Sequence, residues 1–219
     1  MITWAPLHGA LLAGLVALLA ALDRMPPLAE PRWERPILLD RRVRERLRAR
    51  TREGRERARR ISDWLLWTLC IAPYVGALGA SLTPGASTAG ALLIAGQANA
   101  LCAAANRVAA TFIARARPWV GECLTDPDYM PDCMSPERFK GFFSGHACLT
   151  FGGAGMLLVE SRAFGAIPAW VPALAAALAT LVALLRVISD RHYLSDTVVG
   201  AAVGWGIGLL LPEVLHGLG

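Results

Sequence analysis

The chain has 219 residues, of which 55% are hydrophobic and only 18% are charged. Soluble domains are about 45–50% apolar and about 25% charged, so this composition argues against a disordered tail, a fibrous protein and an ordinary cytosolic enzyme. The length suits one domain, which we expect to occupy residues 1–219.

The positive charge is concentrated in one part of the chain. The formal net charge is +5, and thirteen arginines lie between Arg32 and Arg60 among five acidic residues. This window carries a net charge of +8, so the rest of the chain carries −3. The chain is therefore apolar with a single basic block, and it is not uniformly basic.

The apolar residues predict a polytopic, all-α membrane bundle. Six stretches approach the roughly 20 apolar residues that a spanning helix needs, and they show no strand-like alternation. Helices suit such stretches because each one satisfies its own backbone polar groups. We expect about six transmembrane helices, over residues 3–22, 64–82, 88–113, 147–161, 167–185 and 194–212.

The first stretch reads as a retained helix and not as a signal peptide. Residues 1–7 contain no Lys or Arg, no clear cleavage site follows, and Asp23, Arg24 and several prolines end the apolar run. We therefore expect a basic connecting segment over residues 24–61, between the first and second helices, and a core over residues 60–212.

The last stretch carries glycine at every fourth position, at Gly200, Gly204 and Gly208. Such spacing lets membrane helices approach closely. We interpret this stripe as a helix-packing surface.

Polar residues within an apolar chain tend to be functional, and here they form three clusters. They are Arg115-Ala-Arg117-Pro118, Phe143-Ser144-Gly145-His146, and the segment from Arg186 through His192 to Asp196. If the third and fourth stretches form one hairpin and the fifth and sixth another, all three clusters fall at the same membrane face. This arrangement predicts one active site.

The residue types indicate phosphate chemistry. The planar guanidinium matches phosphate oxygens, and Arg117 and Arg186 are the best candidates, with Arg115 behind them. Ser144 and Gly145 open a helix, whose N-terminal amides bind anions.

His192 and Asp196 are four residues apart, so on a helix they share one side, where the carboxylate can orient the ring. Each feature alone has a plainer explanation, such as an interfacial arginine anchor or a helix-capping histidine. The order of the three clusters along the chain and their placement at one membrane face together favour an active site.

These clusters resemble the motifs of the type 2 phosphatidic acid phosphatase superfamily, the membrane lipid phosphate phosphatases. The family pattern is Lys-x6-Arg-Pro, then Pro-Ser-Gly-His, then Ser-Arg-x5-His-x3-Asp. The resemblance covers residues 60–212. Arg186, His192 and Asp196 reproduce the third motif at its full spacing.

The resemblance implies a role for each matching residue. His192 would attack phosphorus and form a phosphohistidine, with Asp196 orienting it, and His146 would protonate the leaving alkoxide and then activate water. The phosphoryl oxygens would be held by Arg117 and Arg186 together with the backbone at Ser144 and Gly145, with Arg115 as a further candidate. The resemblance implies no metal and no other cofactor.

Three positions depart from the family pattern. Ala110 stands where the family has lysine, Phe143 replaces proline, and Leu185 replaces serine. Because the histidines and the aspartate are intact, we still expect an active enzyme. The lysine position leaves the substrate affinity or class open, with Arg107, Lys140 or Arg115 as the available replacements.

Two features of the sequence disagree about orientation in the cytoplasmic membrane. Cys123 and Cys133 bracket one loop, and a disulfide there would suit an oxidising compartment, which points the site outward. The basic block shares the site's face, and the positive-inside rule would place it in the cytoplasm. We favour the outward orientation, with Arg41–Arg60 contacting anionic lipids.

The sequence thus predicts a metal-independent membrane phosphatase acting on a lipid phosphate or an isoprenoid (di)phosphate such as an undecaprenyl one. One alternative is a phosphotransferase of the same superfamily, with a lipid or sugar as acceptor. Another is a non-catalytic membrane scaffold or lipid-binding protein. Nucleic-acid binding is disfavoured because acidic residues are interspersed in the basic block.

Overall fold

A computed structural model describes residues 5–216, apart from 27, 29, 81–87, 165 and 166. In these ranges the regular structure is helical, which confirms the all-α prediction. The helices are α1 (Ala5–Asp23), α2 (Asp40–Leu47), α3 (Arg52–Ala80), α4 (Thr88–Ile113), α5 (Val120–Cys123), α6 (Gly145–Phe164), α7 (Trp170–Ile188) and α8 (Leu194–His216), with a 3-10 turn at Pro136–Phe139.

Each of the six predicted stretches coincides with one long helix, as far as the described residues reach. Three segments are long and apolar enough to cross a membrane: Arg52–Gly79, Trp170–Ile188 and Leu194–Val214. The protein is therefore an apolar helical membrane protein, and the count of six crossings remains a prediction. Residues 3, 4, 81 and 82 of the predicted stretches lie outside the described residues.

The basic connecting segment is shorter than we expected, because α3 begins at Arg52 and not near residue 64. Arginine and glutamate are good helix formers, and here they pair along the helix. The guanidinium of Arg59 lies 3.0 Å from Glu56 and 3.3 Å from Asp63. The end of the basic block thus continues directly into an apolar helix.

Helix α6 lies at the centre of the bundle and contacts α3, α4, α7 and α8. Its partnership with α8 is the closest, and the glycine stripe is the reason. A Cβ at Gly204 would lie 1.9 Å from the carbonyl oxygen of Cys148. A Cβ at Gly208 would lie 2.3 Å from the carbonyl oxygen of Gly152, and one at Gly200 would lie 2.5 Å from that of Ser144, the residue before α6. The predicted packing role of the stripe is confirmed.

The segment before α3 closes one end of this bundle. The backbone N–H of Arg32 donates to the carbonyl of Ala114, and that of Ala116 donates to the carbonyl of Trp33. Helix α2 contacts α7 and α8. The end of α4, the start of α6, the end of α7 and the start of α8 all meet here, so the three polar clusters share one end of the bundle as predicted.

The glycine stripe gives a test with a matched control. We expect Gly204→Ala to lower the free energy of unfolding by about 1–3 kcal/mol, because a rigid backbone carbonyl occupies the space of the new methyl group. Gly206→Ala, on the same helix, has nothing within 4 Å of its Cβ and should not destabilise the protein.

Denaturant titration in detergent measures both variants. Equal stability of the two variants would contradict the close packing of α6 on α8.

Candidate active site

A cavity of about 310 Å³ opens at the end of the bundle where the motifs meet. We call it the site cavity. Five of the predicted catalytic and phosphate-binding residues line it: Arg117, Gly145, His146, Arg186 and His192. Three other predicted residues, Arg115, Ser144 and Asp196, do not line it. The three sequence motifs therefore lie together, but only some of their residues line the cavity.

His192 lies in the short turn between α7 and α8 and is buried. Its Nδ1 is 2.8 Å from the carbonyl oxygen of Gly141, which can only accept, so Nδ1 carries the proton. The unprotonated Nε2 lies 3.4 Å from a guanidinium nitrogen of Arg117. Burial and the nearby Arg117 and Arg186 hold the pKa of His192 well below its usual value of 6.5, which keeps the ring neutral.

Asp196 does not make the hydrogen bond that we expected it to make with His192. The two residues are four apart, but α8 begins at Leu194, so His192 precedes the helix and the helical spacing does not apply. The carboxylate lies 3.8 Å from Nδ1. Asp196 instead accepts from the backbone N–H of Tyr193 at 2.8 Å, as in a capping box, and pairs with Arg115.

Arg115 does not line the site cavity, and its role as a phosphate ligand stays a prediction. Its side chain is fully buried and pairs with Asp196 and, at 2.7 Å, with Asp40. The guanidinium also lies over the rings of Trp33 and Tyr193, at 4.0 and 4.6 Å from their centroids. Two carboxylates and two aromatic rings therefore surround this buried guanidinium.

Asp40 is the partner that the sequence did not reveal, because it sits among the arginines of the basic block. Burial opposes its ionisation, but hydrogen bonds from Ser195, Ile37 and Arg115 hold the pKa of Asp40 below its ordinary value. The Asp40 carboxylate therefore stays charged in its contact with Arg115.

Arg117 and Arg186 supply the positive charge of the site cavity. Arg117 is anchored by donating to the carbonyl oxygens of Glu137 at 2.8 Å and Arg191 at 3.0 Å. Burial and the neighbouring Arg191 lower the pKa of Arg117 to about 10, so it remains cationic at neutral pH. Arg186, on the last turn of α7, donates to Ser62 and to Asp63, each at 3.1 Å.

Ser144 and Gly145 begin α6, but their amides are not equivalent. The N–H of Ser144 donates to the carbonyl of Asp196 at 2.9 Å, so this amide is already engaged, and its use for phosphate stays a prediction. Gly145 does line the site cavity. A Cβ there would lie 2.8 Å from Oδ1 of Asn106, so the close approach of α4 requires glycine.

His146 follows at the cavity wall, and its Nε2 lies 2.8 Å from Oδ1 of Asp63 on α3. The sequence analysis missed Asp63, although an acidic residue at the start of an apolar helix was a visible signal.

The position of the missing family lysine, Ala110, lies on the cavity wall, and two other cations share that wall. Arg107 pairs with Asp23 of α1, and Lys140 lies 2.8 Å from Glu137. Of the three replacements that the sequence offered, Arg107 and Lys140 line the cavity and Arg115 does not.

The loop between α4 and α6 is held by a disulfide and by the basic block. Cys123 and Cys133 are joined, with their Cα atoms 5.5 Å apart. Glu122 accepts from Arg44 at 3.1 Å and from Arg48 at 2.6 Å. Two arginines of the basic block thus neutralise Glu122 in the acidic loop beside the site.

The chain matches the family model described as the PAP2 superfamily over residues 91–218, which is more than half of its length. The chain belongs to this superfamily. Among curated proteins, no significant match was found. Solved structures likewise gave none.

The role of Arg115 can be separated from that of a ligand by its effect on stability. We expect Arg115→Gln to lower the free energy of unfolding by about 3–5 kcal/mol, because it leaves two buried carboxylates without their cation. Arg41→Gln is the control: Arg41 is 82% exposed and, among the described residues, forms an ion pair only with Glu45, so its loss should cost about 0.5 kcal/mol or less.

Unfolding titrations compare the two variants. A fully stable Arg115→Gln protein with weakened substrate binding would support the ligand role and contradict the structural one.

Proposed function

We propose that the chain is an integral membrane phosphatase that hydrolyses lipid phosphates or isoprenoid (di)phosphates through a phosphohistidine at His192. The observation that carries the proposal is the pairing of an unprotonated Nε2 of His192 with Arg117, in a cavity also lined by Arg186 and His146. Membership of the PAP2 superfamily supports phosphatase or phosphotransferase chemistry in general.

The reaction proceeds in two displacements. In the first, Nε2 of His192 attacks phosphorus, the bond to the ester oxygen breaks, and His146 gives its proton to the leaving alkoxide. In the second, water attacks the phosphohistidine while His146 takes the proton from water, and the bond from phosphorus to Nε2 breaks. Phosphate leaves, and both histidines return to their starting forms.

The charged groups stabilise the negative charge that shifts onto the phosphoryl oxygens. Arg117 and Arg186 are buried and held by other contacts, so they need little reorganisation during the reaction. Nδ1 of His192 keeps its proton and donates a hydrogen bond to the Gly141 carbonyl, so Nε2 remains the attacking atom.

The cavity wall favours an amphipathic substrate. Beside its cations, the wall contains Leu19 of α1, Ala103 of α4 and Leu149 of α6. Apolar side chains beside a phosphate site suit a lipid whose tail remains among the helices. Arg107 and Lys140 extend the positive charge and suit a second phosphate or a polar headgroup.

The site is proposed to face the oxidising side of the cytoplasmic membrane. The disulfide in the loop beside the site supports this orientation. The positive-inside argument is weaker than the sequence suggested, because Arg44 and Arg48 are neutralised by the acidic residues of the same face. Exposed arginines within Arg41–Arg60 remain available to anionic lipids.

The substrate class is tested in detergent with phosphatidate, phosphatidylglycerophosphate, sphingoid phosphates and polyprenyl mono- and diphosphates. We expect phosphate release from at least one of them, and its loss in His192→Ala, because no other group replaces the nucleophile. Thermal unfolding of this variant serves as the control for folding.

Transfer of the phosphoryl group to an added lipid or sugar instead of water would identify a phosphotransferase. Unchanged turnover in His192→Ala would overturn the proposal.

The pH profile provides a separate prediction. Since burial and two arginines depress the pKa of His192, the nucleophile should remain unprotonated below pH 6.5. We expect the apparent pKa of the acidic limb of the kcat/KM profile, measured on the best substrate of the panel, to lie below 6.5. An acidic limb above pH 6.5 would contradict a buried histidine flanked by cations.

Orientation can be read from the disulfide in intact cells. With the site outward, a membrane-impermeant thiol reagent should label Cys123 and Cys133 only after an impermeant reductant has been added. The variant Cys123→Ser/Cys133→Ser is the control for labelling at other cysteines. Labelling that requires permeabilised cells would place the site on the cytoplasmic side.

A further inference from the structure

An acidic side chain outside the family-matched region touches two groups of the site cavity. Asp63 lies on α3, and its Oδ1 is 2.8 Å from Nε2 of His146 and 3.1 Å from a guanidinium nitrogen of Arg186. Its other oxygen, Oδ2, lies 3.3 Å from Arg59. The matched region begins at residue 91, so the family motifs do not include this contact.

We propose that Asp63 is a positioning residue for His146, with which it makes a hydrogen-bonded carboxylate–histidine pair in the site. The proposal rests on the proposed function, because it assigns His146 the proton transfers of the two displacements. Asp63 itself touches no reacting atom and acts through the ring.

The contact decides which nitrogen of His146 exchanges protons. A carboxylate accepts hydrogen bonds, so Nε2 keeps its proton toward Asp63. Among the described residues, Nδ1 of His146 has no hydrogen-bond partner, and the ring lines the site cavity. Nδ1 is therefore the nitrogen that donates to the leaving oxygen and later accepts from water.

Asp63 also provides the negative charge that a protonated His146 needs. The charged groups that face the ring are Arg186 from α7, Arg117 from the loop after α4, and Asp63 from α3. Two of these three are cations, which oppose protonation of the ring. Burial opposes it as well, and the Asp63 carboxylate is the group among these three that favours the protonated ring, which the first displacement consumes.

The neighbouring residues separate this role from simple support of Arg186. Arg186 has a second partner on α3, the helix of Asp63: the hydroxyl of Ser62 at 3.1 Å. In the described structure no hydrogen bond joins Ser62 to His146, and the Ser62 hydroxyl otherwise donates to the carbonyl of Arg59. Removing the Ser62 hydroxyl therefore disturbs Arg186 but leaves the carboxylate–histidine pair intact.

The experiment compares Asp63→Asn, Asp63→Glu and Ser62→Ala on the best substrate of the panel. We expect Asp63→Asn to lower kcat by about 10- to 100-fold with little change in KM, because proton transfer matters in the transition state. The alkaline limb of the pH profile of Asp63→Asn should move to lower pH, because the protonated His146 ring loses its counter-charge. Asp63→Glu should restore part of kcat, and Ser62→Ala should keep the wild-type limb.

A double-mutant cycle with His146→Gln distinguishes an effect that acts through His146 from a general structural effect of Asp63. If Asp63 acts through His146, Asp63→Asn should have no further effect on kcat in the His146→Gln background. Should Asp63→Asn unfold, Asp63→Glu in both backgrounds replaces it in the cycle.

Several outcomes would overturn the proposal. These are wild-type kcat in Asp63→Asn with an unchanged alkaline limb, a rise in KM alone, and an undiminished effect in the His146→Gln background. Absence of phosphate release from the wild-type protein would instead be a failure of the proposed function.

Discussion

The buried guanidinium of Arg115 connects parts of the chain that are far apart in sequence. It pairs with Asp40 of the segment before α3 and with Asp196 of α8, and it lies between two aromatic rings. Removing a charged group from water is costly, so such a pairing holds only when each partner is in place. The closed end of the bundle, which carries the site, depends on this arrangement.

The site needs a second constraint, the close contact of α6 with α8. Glycines let the two helices approach until backbone atoms touch, and the same approach brings His146 at the start of α6 toward His192 just before α8. Arg186 and Arg117 complete the group from α7 and from the loop after α4. The cavity is therefore a consequence of where four helices begin and end.

The sequence predicted the helices and the shared end of the polar clusters, because both depend on local hydropathy and chain order. It failed where a long-range partner decides the role of a residue. Asp40 lies 75 positions from Arg115, and Asp63 lies 83 positions from His146. The expected hydrogen bond between Asp196 and His192 is missing for a local reason, because α8 starts at Leu194 and leaves His192 outside the helix.

The central claim is that phosphorus passes through Nε2 of His192. Rapid acid-free quenching of the wild-type protein with a radiolabelled lipid phosphate, followed by peptide mapping, tests it most directly. The account predicts a transient label that survives alkali, is lost in acid and maps to the peptide containing His192. Turnover without any labelled protein intermediate, or a label on another residue, would contradict it.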